Sequence, residues 1–482
     1  MMMKREIIKI AVLLIGICSK VVAQDHGVHH QSTTYEWPKD PLVKQKLDKW
    51  QDQKFGMIIH WGLYAVPGII ESWSICSEDW IERDSTITYD NYKKWYWDQS
   101  KDFNPVKFNP EQWAKAGKAA GMKYLVFTTK HHDGFAMFDT KESDFSIAKG
   151  PFATNPKADV AKHVFDAFRK EGFMIGAYFS KPDWHSQYYW WSKYATADRN
   201  NNYDIRKNPW RWNMFKQYTF NQIGELMHNY GSVDILWLDG GWVRPLSTVN
   251  DEVRAWGAAI PAWDQDINMP KIASMARKAQ PGLLVVDRTV HGPYENYQTP
   301  EQRVPEKQLA NPWESCMTLG GAWGFVPNDQ YKSAAKVIHT LVEVTAKGGS
   351  LLLGVGPKAD GTFPQEVITR LEEIGKWVNV NGKAIYGTRI TKAYHDGNTW
   401  FTQSKDGKTR YAVYCPIEGE KLPSTISWTG NTPKKGTSVT LIGTGKKMKW
   451  KELSGKIFIE LPAAVSKNEG SIALAFEFAP AG

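Results

Sequence analysis

The chain reads as an α/β protein, a (β/α)8-like barrel followed by a C-terminal antiparallel β-sandwich. Three observations carry this. Short apolar runs alternate with helical patterns over about 300 residues. From about residue 386 the pattern changes to short, alternating, β-rich segments. The length of 482 residues exceeds one ordinary domain and suits a large barrel with a smaller module.

Residues 1–23 read as an export signal. Lys4, Arg5 and Lys9 precede the apolar stretch Ile10 to Cys18, too short to span a bilayer, and Val21-Val22-Ala23 is a small-residue cleavage site. The expected mature chain starts at Gln24 and is secreted or periplasmic. Lipid attachment at Cys18 is the weaker reading, because Ile17 stands where a lipoprotein signal has a small residue. Only Cys76, Cys316 and Cys415 remain after the signal, an odd number without metal-ligand spacing, so buried free thiols are expected. The formal charge is +9, and four cations against Glu6 in the signal leave about +6 for the rest. The basic residues are scattered, which argues against nucleic acid as a partner; the excess suits solubility first and an anionic glycan second. No membrane span follows the signal, and no oligomeric state is implied.

Residues 24–44 are polar and His-rich and predict a loose lead-in. Six strands are then expected, near residues 56–60, 124–127, 174–178, 233–238, 283–286 and 351–355. Pro110 to Ala120, Ala158 to Lys170 and Ala334 to Ala346 read as helices ending at glycines. Strand, helix, strand at this rhythm implies parallel pairing with right-handed crossovers. Six clear strands favour a barrel with two irregular ones over residues 24–385. A doubly wound sheet is less favoured, since no Gly-rich phosphate fingerprint follows any strand. After a last helix, Gln365 to Val378, segments near 399–402, 409–414, 438–441, 457–459 and 472–478 predict a β-sandwich over residues 386–482.

The strand ends carry the chemistry. Val233 to Leu238 is an apolar run ending in Asp239-Gly240-Gly241. A carboxylate there sits on the catalytic rim of a parallel barrel. Other strand ends present His60-Trp61, Lys130-His131-His132-Asp133, Tyr178 to Trp184, and Asp287-Arg288. His131 and His132 are adjacent, so they share a pocket only where the strand breaks. No HxH, HExxH or Cys/His spacing is present, and no metal or cofactor is expected. Hydrogen bonding to the hydroxyls of a small ligand suits these groups, with Trp61, Trp73 and Trp237 as apolar walls. Retaining glycoside hydrolysis needs a nucleophilic carboxylate and a second carboxyl as acid and base, about 5–5.5 Å apart. Asp239 is the natural nucleophile. Glu295, Glu301, Glu306 and Glu314 are all candidates for its partner.

Taken together the motifs resemble glycoside hydrolase family 29, the retaining α-L-fucosidases. The resemblance rests on Lys54 to Gly62, Tyr64 to Pro67, Lys130 to Phe135, Trp237-Leu238-Asp239, Asp287-Arg288, Trp313 to Cys316 and Leu352 to Pro357, in this order. It implies Asp239 as nucleophile and Glu301 as acid/base, with Glu314 as the alternative. It implies a sugar pocket containing His60, His131, His132, Tyr178, Trp237 and Arg288. One departure stands out. After Val-Pro the family often places Glu-Trp as neighbours; here Glu71-Ser72-Trp73 keeps the Trp in register and puts Ser where the Glu would be. Either Glu71 reaches the same hydroxyl from a distorted loop or a different hydroxyl pattern is bound. The implied substrate is a fucosylated oligo- or polysaccharide. An exo-α-L-galactosidase acting on L-galactose-containing glycans, which differ only at C6, and a catalytically silent glycan-binding protein are the alternatives.

Overall fold

Side-chain alternation along seven parallel strands divides the core in two and decides which groups emerge at the rim. The computed structural model describes residues 32, 34–257, 259–466 and 472–481; the expected export signal and Cys18 lie outside the described residues. The strands are β1 (Phe55–Ile59), β2 (Tyr124–Lys130), β3 (Met174–Ser180), β4 (Ile235–Asp239), β5 (Leu284–Asp287), β6 (Glu314–Thr318) and β7 (Ser350–Val355). They form one sheet in the order β5-β4-β3-β2-β1-β7-β6, parallel at each pairing. Helices Pro110–Ala119, Val160–Lys170, Pro209–Asn229, Met269–Ala279 and Ala334–Ala346 lie in the crossovers. β5 and β6 do not pair directly. Residues between them span the gap through single bridges, Glu295 to Val286 on one side and Glu301 to Cys316 on the other. This irregular segment carries Glu301 to the rim.

Inward-facing residues such as Ile58, Val126, Ile235, Trp237, Val286, Cys316 and Leu352 pack together as the barrel interior. Outward-facing ones such as Met57, Leu125, Leu236 and Val285 pack beneath the helices. On β4 this alternation places Ile235, Trp237 and then Asp239 on the inner face. The floor is closed by α1 (Pro41–Gln53), which buries Val43, Leu47 and Trp50; Trp50 stacks on Tyr297 with centroids 3.9 Å apart. This helix begins inside the stretch expected to be a lead-in. Its signal was local: Asp40 caps it by accepting from the Leu42 N–H, with Pro41 at the first turn. β6 was also unexpected, because Glu314-Ser315-Cys316-Met317-Thr318 is mixed in polarity although Glu314 and Cys316 are buried.

Beyond helix Gln365–Asn381 the chain forms two antiparallel sheets. One runs in the order Lys446–Met448, Val439–Leu441, Leu474–Phe478, Arg410–Tyr414, Thr399–Ser404, Thr388–Arg389, and the other Thr425–Thr429, Lys456–Glu460, Trp450–Leu453. Phe401, Trp428, Ile457, Ile459, Phe476 and Phe478 fill the core between them. Trp377 donates from Nε1 to the Ala473 carbonyl, tying this module to the barrel's last helix. Cys76, Cys316 and Cys415 are free and buried. Among the described residues no helix is long and apolar enough to cross a membrane.

The loop after β6 lies across the chain leaving β7. A Cβ on Gly356 would sit 2.3 Å from backbone atoms of Gly324 and Phe325. Backbone has little room to yield, so Gly356→Ala is expected to destabilise the protein by about 1–3 kcal/mol. Denaturant unfolding measures this; an unchanged midpoint would show that the loop moves freely.

Candidate active site

The seven strands end on one rim, and groups at or just past the ends of β1 to β5 line one pocket there. Asp239 closes β4 on its inner face. Its Oδ2 accepts from the Tyr178 hydroxyl at 2.7 Å. Its Oδ1 accepts from Arg288 Nη1 at 2.8 Å and from the Gly240 N–H at 2.9 Å. Gly240 is at φ +90°, and a Cβ there would lie 2.3 Å from Pro182 Cδ, so the turn that aims Asp239 needs glycine. Arg288 follows β5 and donates through Nη2 to Glu301 Oε2 at 2.8 Å. Its guanidinium lies 4.3 Å from the centroid of Trp237. Glu301 Oε1 accepts from Trp323 Nε1 at 3.2 Å. One buried cation thus holds both carboxylates. Burial works against the Arg288 charge, but Asp239, Cys316 and Glu301 outweigh it and raise the pKa further.

Three histidines form the opposite wall. β2 ends at Lys130 after a register shift against β3 between Thr128 and Lys130, and the chain then turns through Gly134 at φ +81°. That break lets both His131 and His132 line the pocket; their rings are 4.3 Å apart. His60 packs edge-on to Tyr178 and against Trp323. Burial lowers the pKa of His60, His131 and His132, to about 4 for His131, and the neighbouring Asp239 does not reverse it. Neutral imidazoles can both donate to and accept from hydroxyls. Nδ1 of His60 and Nδ1 of His132 are buried without a hydrogen-bond partner among the described residues, the state of groups built to meet a ligand. Behind the rim, Lys130 pairs with Asp183 at 3.0 Å and Lys181 with Asp287 at 2.5 Å, all four buried. These fix the loops leaving β2, β3 and β5.

Glu71 and Ser72 divide a task. Glu71 lines the pocket and accepts from the Gly324 N–H at 2.7 Å; burial raises its pKa and that hydrogen bond opposes the rise. Ser72 Oγ bonds His131 Nδ1 and orients the ring. Glu71 therefore lines the pocket from the loop, although Ser72 is the direct neighbour of Trp73.

The structure brings together Asp239, Glu301, His60, Glu71, Trp73, His131, His132, Tyr178, Trp237 and Arg288. It does not bring Glu314 there. Glu314 starts β6 at the floor of the barrel, fully buried, and accepts from Tyr124 Oη at 2.7 Å and Trp237 Nε1 at 3.1 Å. Burial lifts its pKa to about 7, but it lies beneath Trp237, out of reach of a bound sugar, and the structure gives it the work of locking that indole. Trp61 is likewise no wall; it is buried against Phe103, Phe108 and Trp113 and donates to the Lys358 carbonyl. Arg199, Trp242 and Trp323 also line the pocket, though none of them is among the individual site residues read from the sequence. Trp242 follows Asp239 by three residues, a usable signal. Arg199 and Trp323 sit on long loops far from a recognised strand end.

His131, His132 and Asp239 offer ligand atoms within 4.8 Å of one another. A divalent cation there would face the Arg288 guanidinium already bound to Asp239, and Ser72 already holds His131 Nδ1. The donor set suits a hydroxylated ligand better than a metal.

A barrel rim carrying two clamped carboxylates beside neutral histidines and aromatic walls is the arrangement of a glycoside hydrolase. Residues 22–383 match the family model described as alpha-L-fucosidase, and the chain belongs to that family. It is 28% identical over 452 residues to human plasma alpha-L-fucosidase, covering 90% of each chain. Its structure is similar to alpha-L-fucosidase isoenzyme 1 from Paenibacillus thiaminolyticus, with a TM-score of 0.72 at 29% identity over 92% of this chain and 100% of that one. It is also similar to Thermotoga maritima alpha-fucosidase in complex with fucose, with a TM-score of 0.68 at 26% identity over 92% and 100% of the two chains.

The depressed pKa values have a direct consequence. A depressed histidine is protonated only below its lowered pKa, so His60, His131 and His132 stay neutral from pH 8 down to pH 5. Their ring NMR resonances are expected to stay constant over that range. Titration near 6.5, the ordinary histidine value, would contradict the burial account.

Proposed function

We propose that the protein is an exported, exo-acting, retaining α-L-fucosidase that releases terminal α-L-fucose from glycans by double displacement. The observation that carries this is the Arg288 fork joining Asp239 and Glu301 in the pocket at the strand ends. Loops carrying Glu71, Arg199, Trp242 and Trp323 wall the pocket around the strand ends, which supports action at chain ends.

In the first step Asp239 attacks the anomeric carbon while Glu301 gives its proton to the leaving glycosidic oxygen. The C–O bond to the aglycone breaks, and a covalent fucosyl ester forms on Asp239. In the second step Glu301, now a carboxylate, takes a proton from water. The oxygen of that water attacks the anomeric carbon and frees Asp239, and two inversions leave the configuration retained. Arg288 and Tyr178 keep the nucleophile charged and aimed. The neutral histidines and Glu71 bind ring hydroxyls. Tyr178, Trp237 and Trp323 offer an apolar wall suited to the C6 methyl group.

The wall predicts a preference rather than an absolute choice. Hydrolysis of 4-nitrophenyl α-L-fucoside should exceed that of the α-L-galactoside by about 10–100-fold in kcat/KM. Asp239→Ala is expected to lower kcat by at least about 10³-fold with the fold retained, and added azide to restore some rate with a product of inverted configuration. Glu301→Ala should slow substrates with poor leaving groups by about 10²–10⁴-fold and an activated aryl fucoside far less. Absence of turnover of either aryl glycoside by the wild-type protein would refute the hydrolase reading for these substrates. A galactoside preference would shift the assignment to α-L-galactosidase.

A further inference from the structure

Two cations line the pocket, and the mechanism uses only Arg288. Arg199 comes from the long loop between β3 and helix Pro209–Asn229, and it is 5% exposed. Glu78 Oε1 accepts from its Nε at 2.7 Å. Its carbonyl oxygen accepts from Trp184 Nε1, Tyr189 Oη and Trp242 Nε1. The guanidinium carbon lies 4.9 Å from the centroid of Trp73 and 5.2 Å from that of Trp242. Glu78 therefore holds the guanidinium along one edge, and the two indoles, whose centroids are 5.7 Å apart, pack against one side of it. Its two terminal nitrogens make no hydrogen bond among the described residues, and the side chain lines the pocket beside Trp73 and His132.

Glu78 offsets the charge of Arg199 but occupies only one of its five N–H donors. The terminal nitrogens are open to the pocket, where a ligand that reaches them would replace water. A rigid fork of N–H groups is matched to a pair of oxyanion oxygens more closely than to a single hydroxyl. The pocket itself carries Glu71, Asp239 and Glu301, but the groove beside it is basic. Beyond Trp184 an open groove is lined by Lys93, Lys94 and Lys193 with Asp90 as its one acidic residue, and by the rings of Trp191 and Tyr194.

We propose that Arg199 is a specificity-determining residue that binds an oxyanion substituent of the glycan, a sulfate ester or a carboxylate, on the terminal sugar or on the sugar next to it. This rests on the α-L-fucosidase reading. Hydroxyl binding by the histidines and Glu71 fixes the ring, and Arg199 adds recognition of the charge.

The test has two arms. The first compares L-fucose with its 2-, 3- and 4-O-sulfates as ligands in calorimetry and as inhibitors of aryl fucoside hydrolysis. The second compares α-L-fucosyl disaccharides whose second sugar is glucuronic acid or glucose. At least one anionic compound is expected to bind or react about tenfold better than its neutral counterpart, with the preference shrinking as salt is raised. Arg199→Gln should remove the preference, and Arg199→Lys should keep only its salt-sensitive part. The arm that shows the gain places the anion on the ring or on the neighbour. No preference in either arm, or a preference that survives Arg199→Gln, would overturn the proposal. If Arg199→Gln does not fold, the wild-type comparison and Arg199→Lys still decide. Should the aryl fucoside not be cleaved, the functional reading fails, while calorimetry with the free sugars still tests Arg199.

Discussion

The guanidinium of Arg288, hydrogen-bonded at once to Asp239 and Glu301, is the constraint on which the rest of the site depends. Arg288 favours the charged form of Asp239, and its second hydrogen bond orients Glu301, which acts as the acid only when its carboxyl is protonated. Such a cation is itself expensive to bury unless its partners are held in place. The barrel does this holding. Arg288 follows directly on β5, and its N–H donates to the Leu238 carbonyl of β4 at 3.2 Å. Asp239 ends β4, and Trp237 below it forms the floor on which the guanidinium lies. Glu314, pinned by Tyr124 and Trp237, locks that floor from beneath. Glu301 arrives on the irregular segment that spans the opening between β5 and β6. The charged rim thus sits on a packed interior, and the one place where the sheet does not pair supplies the second carboxyl.

The neutral histidine wall is the complement of that clamp. Burial keeps His60, His131 and His132 uncharged although Asp239 is nearby. Charged imidazoles would compete with Arg288 for Asp239 and lose the ability to accept from a hydroxyl. Ser72 fixes one ring, and Glu71 is fixed by the loop carrying Trp323. Recognition of a polyhydroxylated ring then costs little rearrangement, because the donors and acceptors are already in place.

Much of this was legible in the sequence, for identifiable reasons. Buried parallel strands are apolar on both faces, so β1 to β5 and β7 stand out, and the residues that end them mark the rim. Asp239, His60, His131, His132, Tyr178, Trp237 and Arg288 were found that way and meet in one pocket. β6 escaped because its inward positions are Glu314 and Cys316, whose burial depends on partners far along the chain. The same gap made Glu314 a plausible acid, since proximity to the rim could not be told from burial beneath it. α1 was hidden because its single stripe of Val43, Leu47 and Trp50 lies in a polar stretch. Arg199 and Trp323 were out of reach of pattern reading. Each belongs to a loop whose path is set by tertiary contacts, Arg199 by the indoles of Trp73 and Trp242 and Trp323 by His60 and Glu301.

The most direct test of the central claim is to trap the intermediate. A 2-deoxy-2-fluoro-α-L-fucosyl fluoride should slow breakdown of the covalent ester more than its formation, because the electron-poor ring destabilises the positive charge in both transition states while the fluoride leaves readily. Mass spectrometry of the treated protein is expected to show one added 2-fluorofucosyl group per chain, carried by the peptide that contains Asp239. A label on any other residue would contradict the account, as would turnover of the reagent to a product of inverted configuration.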